Sequence, residues 1–158
     1  MLKLIKNYLK KKYYRHLHHL NVEISAMCNY NCEICGFQEF YQPKGLMTME
    51  TFMKLEETFK KVDSVLFGFN AETFMNPHVV EMLKFAKRAN PNLCVSILTN
   101  GSLLTPKLSE QLILNGLDDL SISIDAAKPE TYNKLRHYDL EKIKMVSSLC
   151  QILLNFFY

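Results

Sequence analysis

The stretch EISAMCNYNCEICGF, residues 23–37, places Cys28, Cys32 and Cys35 at spacings of four and three residues, directly after an apolar run that reads as a strand, LNVEIS (20–25). The chain has five cysteines, and its first 20 residues lack the continuous apolar core of a signal peptide, so metal or redox chemistry is expected rather than a disulfide framework. Thiolates this dense bind zinc or iron–sulfur clusters. A closed zinc site needs a fourth ligand, and so does a ferredoxin-type cluster. The candidates are His78, His137, Cys94, Cys150 and the histidines at 16, 18 and 19, none of them at a standard finger spacing. Spacing alone therefore leaves zinc and cluster open. Cys94 and Cys150 stand apart in apolar surroundings and read as small buried hydrophobes.

Outward from the cysteines, short apolar runs alternate with helical patterns. MTMETFMKLEETFKKV (47–62) reads as one helix with Thr48 as its N-cap. SVLFGF (64–69) reads as a second strand, followed by the helix HVVEMLKFAKRA. LCVSILTNG is a third strand ended by Asn-Gly. Thr105 and Pro106 then open a helix that Gly116 closes. LSISI (120–124) is the fourth strand, Pro129 starts a helix to about Arg136, and a last, increasingly apolar helical pattern follows Asp139. Strict alternation of this kind implies βαβ units, hence parallel strands with right-handed crossovers, and an α/β fold whose binding groups gather at the carboxyl ends of the strands. The cysteines, GFNAET, TNG and SID each follow one strand. The connection 26–48 is the longest, as functional loops often are.

Composition narrows the class without deciding the function. With 158 residues, 48% of them hydrophobic and a net charge of +3, the chain suits one folded domain with a real core. Charge is uneven: Lys3, Lys6, Lys10, Lys11, Lys12 and Arg15 precede the first acid, Glu23. Leu2, Ile5, Leu9 and Tyr13 recur among them at helical spacing, so residues 1–20 read as a basic amphipathic helix and residues 21–158 as the core domain. This segment is too polar to span a bilayer, and a cytoplasmic chain without a transmembrane segment is expected. A solvated helix across one end of the domain is the plainer reading of the basic run. Nucleic acid is not favoured as a partner.

Taken together, EISAMCNYNCEICGF, the loop GFNAETFMNP, ILTNGSLLT and SISIDAAKPETYNKLR, in this order, resemble the radical S-adenosylmethionine (radical SAM) superfamily over residues 21–139. The resemblance implies a partial (β/α) barrel of the TIM type with about four parallel strands present. It implies two cofactors, a 4Fe-4S cluster on Cys28, Cys32 and Cys35 and SAM on the iron that those thiolates leave open. One electron from the cluster, delivered by a reductant such as flavodoxin or ferredoxin, would cleave SAM to methionine and a 5′-deoxyadenosyl radical that abstracts hydrogen from a substrate. By the same resemblance Ile34 lies near the adenine, Glu72 holds the SAM amino group, Ser123 meets the ribose and Arg136 reaches the SAM carboxylate. Asn70 and Ala71 stand where relatives carry glycines beside the methionine end of SAM, and Gly68 supplies part of that backbone freedom. No catalytic residue toward the substrate is assigned, and peptide or protein is the weakly preferred substrate class.

Relatives carry more β/α units than the four visible here, so the chain reads as a short or C-terminally truncated member. The last helix, with Val146, Leu149, Leu153, Leu154, Phe156 and Phe157, is a candidate to cover the free edge of strand four. A non-catalytic iron–sulfur or zinc-binding module is the alternative reading.

Overall fold

The computed structural model describes residues 18–36 and 44–157. Of the basic helix expected over residues 1–20, residues 1–17 lie outside the described residues and His19 and Leu20 belong to a strand; the side chains from 149 onward, Cys150 among them, also lie outside the described residues. The described strands are β1 (His19–Val22), β2 (Ser64–Phe67), β3 (Cys94–Thr99) and β4 (Asp119–Ile122). All neighbours are parallel and the order is β1-β2-β3-β4, as the alternation of elements predicts.

Strand periodicity decides what each face does. Val22, Phe67, Ile97 and Leu120 align in register across the sheet, and Val65 pairs with Val95 one pleat earlier. These side chains face the helices and join a core in which Val65, Phe67, Val95 and Ile97 are fully buried. The opposite face carries Asn21, Ser96 and Ser121, none of them buried. Cys94 belongs to that second face and is exposed, against the expectation of a buried hydrophobe. Its parity in β3 overrides its apolar neighbours.

The helices start where side-chain chemistry asks them to. Thr48 caps α1 (Met49–Met53) by accepting from the Thr51 N–H, and Thr105 caps α4 (Pro106–Leu114), the helix after β3, by accepting from the Leu108 N–H. The predicted helix over 47–62 is two short ones, α1 and α2 (Glu56–Phe59). Tight bonds, Lys54 N–H to Thr51 O at 3.2 Å and Leu55 N–H to Phe52 O at 3.0 Å, join them, and both Phe52 and Phe59 are buried completely. Between β2 and β3 lies α3 (Val79–Ala89), and α5 (Pro129–Arg136) ends on His137 in the left-handed conformation.

The last helix, α6 (Leu140–Phe157), packs along α4 and against α5. It seats Leu140 and Ile143 with Tyr132 and Ile122, and Val146 against the main core. Ile143 thereby reaches β4 through Ile122, while the side chains at 149–157, on which covering of the free edge of β4 was expected to rest, lie outside the described residues. Among the described residues no helix is long and apolar enough to cross a membrane.

Candidate functional site

Each carboxyl-end loop is anchored before it reaches the site. β1 ends at Val22, short of the predicted Ser25, because the following backbone finds other partners. Met47 N–H donates to Ile24 O at 2.9 Å, Ala26 N–H donates to Gly45 O at 2.8 Å, and Asn76 Nδ2 donates to both Ile24 O and Met47 O. These bonds close the neck of the long cysteine loop. Beyond the neck, Glu72 N–H donates to Met27 O at 3.0 Å and Glu33 N–H donates to Leu135 O at 3.0 Å, so the loop is tied to the β2 loop on one side and to the end of α5 on the other. Tyr30 is buried between them, its ring 4.8 Å from that of Tyr138.

The result is one cavity of about 540 Å³, a size usual for small-molecule sites. Cys28, Cys32 and Cys35 all line it. Ile34, Asn70 and Ala71 line it too, with Glu72 from the β2 loop, Ser123 after β4 and Arg136 at the end of α5. The nine residues that the resemblance assigned to the two cofactors thus line a single opening, whereas His78, His137 and Cys94, weighed as a fourth ligand, do not line it. Ile34 and Phe69 stand at its mouth, 59% and 58% exposed. Leu98 and Thr99 of β3 and Asn100 just after it form part of the wall, a contribution that the motif TNG signalled without saying which side chains would matter.

The electrostatics centre on Glu72. It is buried, and its Oε1 accepts from Thr99 Oγ1 at 2.7 Å and from the Phe74 N–H at 3.0 Å, while Oε2 accepts from the Asn100 N–H at 2.7 Å. Burial raises its pKa, opposed by those three hydrogen bonds. A carboxylate offers about four lone-pair sites, so acceptor capacity remains on Oε2. Glu72 thus has a structural duty that its place in the motif did not reveal. Arg136 is not free either: its Nε pairs with Asp125 Oδ2. Burial works against the charge of Arg136, and the Asp125 carboxylate outweighs it to raise the pKa. Gly68 takes φ +95, and a Cβ there would meet Thr73 Oγ1 at 2.2 Å, so the backbone freedom expected of this loop resides at Gly68.

The chemistry of the thiols is compatible with a multi-iron cluster. Burial raises the pKa of Cys28 and Cys32, and each of the three cysteines lies near enough to influence the others. Arg136 counters the rise at Cys32, so a positive charge faces the thiolate side of the cavity. Among the described residues no three Cys, His, Asp or Glu side chains converge tightly enough to grip one metal ion. Thiolates ringing a cavity are instead what a multi-iron cluster requires, since each binds a different iron.

The family model described as the Radical SAM superfamily matches residues 22–151. The chain belongs to the radical SAM superfamily. Members of this family bind a 4Fe-4S cluster and SAM. An AdoMet-dependent heme synthase of Methanosarcina barkeri is 35% identical over 116 residues, covering 72% of this chain and 33% of that protein. A GTP 3′,8-cyclase of Alkaliphilus oremlandii is 27% identical over 141 residues, 85% of this chain and 43% of its own. The chain thus spans less than half the length of these radical SAM relatives. Among solved structures, Streptococcus suis SuiB bound to S-adenosylmethionine superposes with a TM-score of 0.76 at 14% identity, over 96% of this chain and 36% of that one. The anSMEcpe structure with bound AdoMet gives 0.69 at 20% identity, over 87% and 41%. At these identities the likeness to solved structures concerns the radical SAM fold.

Proposed function

We propose that this chain is a radical SAM protein that holds a 4Fe-4S cluster on Cys28, Cys32 and Cys35 and binds SAM beside it for reductive cleavage. The observation that carries the reading is the common cavity: three thiols, one buried carboxylate and one half-buried guanidinium open onto the same space. When bound, the cluster supplies the single electron that breaks a carbon–sulfur bond of SAM, giving methionine and the 5′-deoxyadenosyl radical that takes hydrogen from a substrate.

The chain's own residues do the binding and orienting. Cys28, Cys32 and Cys35 would supply three thiolates to hold the cluster, and SAM would bind beside it through its amino and carboxylate groups. Glu72, already fixed by three hydrogen bonds, presents a rigid anionic acceptor for the ammonium. Arg136 offers its remaining guanidinium donors to the SAM carboxylate while Asp125 holds Nε. Asn70 and Ala71 flank the methionine end, Ser123 is placed for the ribose, and Ile34 at the mouth offers an apolar surface to the adenine. We place the core domain in residues 21–158 and the reaction in the cytoplasm, with a flavodoxin- or ferredoxin-type reductant and a peptide or protein as the preferred substrate class. The solved structures of SuiB bound to precursor peptide SuiA and of anSMEcpe with a Cp18Cys peptide are consistent with that preference.

The test is anaerobic reconstitution followed by reduction in the presence of SAM. Formation of 5′-deoxyadenosine well above that of Cys32→Ala is expected. Cleavage no greater than in the variant would leave the non-catalytic cluster or zinc module as the better description.

A further inference from the structure

Asn100, from the TNG turn after β3, meets Glu72 through its backbone N–H, but its side chain has a separate set of partners: the residue is 6% exposed and every hydrogen-bonding position of the side chain is engaged. Oδ1 accepts from the Ser102 N–H at 2.9 Å and from Ser102 Oγ at 2.7 Å. Nδ2 donates to Asn29 Oδ1 at 3.0 Å and lies 4.0 Å from Cys28 Sγ. The orientation of the amide follows from chemistry: a backbone N–H can only donate, so the oxygen must face Ser102 and the NH₂ must face the cysteine loop. Asn29 Nδ2 donates in turn to Ser102 Oγ at 2.8 Å, which closes the ring of bonds between the two loops.

Cys28 is thereby distinguished from its two partners. Its sulfur accepts from the Tyr30 N–H of its own loop at 3.4 Å and from Asn100 across the cavity. Among the described residues, neither Cys32 nor Cys35 sulfur has a comparable donor. Hydrogen bonds to a cluster's sulfurs favour the more negative, reduced state and so raise the reduction potential.

We propose that Asn100 is a positioning residue for Cys28: its side-chain N–H donates to the Cys28 sulfur, holds that ligand against the end of β3, and raises the reduction potential of the cluster bound there. This rests on Cys28 being a cluster ligand. Asn100→Asp keeps an oxygen for the Ser102 N–H but turns a second oxygen on the sulfur. Asn100→Ala removes the donor without adding charge. Ser102→Ala disturbs the same turn and leaves the donor in place.

The experiment measures iron and sulfide content and the midpoint potential of the anaerobically reconstituted full chain and these three variants. Expected is a potential lowered in Asn100→Ala, lowered further in Asn100→Asp, and close to wild type in Ser102→Ala. Loss of iron from both Asn100 variants with native far-UV dichroism, while Ser102→Ala still loads, also supports the assignment. A wild-type potential in loaded Asn100 variants overturns it. So does an equal loss of cluster from all three variants, which would credit the turn alone. A wild-type chain that takes up no iron and sulfide overturns the cluster reading itself, and this inference with it.

Discussion

A carboxylate at each end of the parallel sheet, Asp118 at one and Glu72 at the other, ties neighbouring elements, and the two have their charge balanced differently. At the amino ends, Asp118 Oδ2 accepts from the Val95 N–H and from Lys87 Nζ, both at 2.6 Å, and Lys87 also donates to Leu93 O at 2.8 Å. The carboxylate meets a cation and the cluster of groups is closed. At the carboxyl ends, Glu72 accepts three hydrogen bonds from neutral donors and, among the described residues, forms no ion pair. A buried anion without a contacting cation is costly by itself, and the cost falls when a cationic ligand arrives. One end of the sheet is closed by folding; under the proposed function the other is closed by binding.

Substitutions can break or sharpen that contrast. The largest effect is expected at Gly68→Ala, where positive φ and an added Cβ 2.2 Å from Thr73 Oγ1 together cost about 2–5 kcal/mol, read as a lowered denaturation midpoint. The same substitution displaces the loop that carries Glu72, so SAM binding falls with it. Next, Glu72→Gln removes the anion and sets an amide N–H against the Asn100 N–H. SAM affinity measured by calorimetry should fall by about tenfold or more, equivalent to about 1.4 kcal/mol. Asp118→Asn should lower stability by about 1 kcal/mol, because Lys87 and Asp118 are partly solvated, and leave SAM affinity unchanged. Equal losses of SAM affinity in Glu72→Gln and Asp118→Asn would erase the distinction between the two ends. The smallest effect belongs to Ile34→Ser: at 59% exposure it contributes little to folding, and a few-fold weaker SAM binding, under about 1 kcal/mol, is expected with an unchanged denaturation midpoint.

Elements with local chemical punctuation were legible in the sequence. Thr48, the Thr105-Pro106 pair and Pro129 mark helix starts where the structure has them, and Gly116 with φ +85 marks the end of α4. Non-local bonding was not legible. β1 stops early because Met47 and Asn76, far along the chain, claim the Ile24 carbonyl. Cys94 is exposed because strand parity, rather than neighbouring residues, decides its face. At the site, the motif residues could be named one by one. The triple bonding of Glu72, the Asp125 partner of Arg136 and the inward amide of Asn100 depend on which loops meet, and spacing carries no record of that.

The central claim is that three thiolates leave an open iron beside a space shaped for SAM. The most direct measurement is the electron paramagnetic resonance spectrum of the reduced, anaerobically reconstituted chain, recorded with and without SAM. A 4Fe-4S signal whose line shape changes on adding SAM, and which is lost in Cys28→Ala, is the predicted result. A cluster signal that is indifferent to saturating SAM would contradict the account.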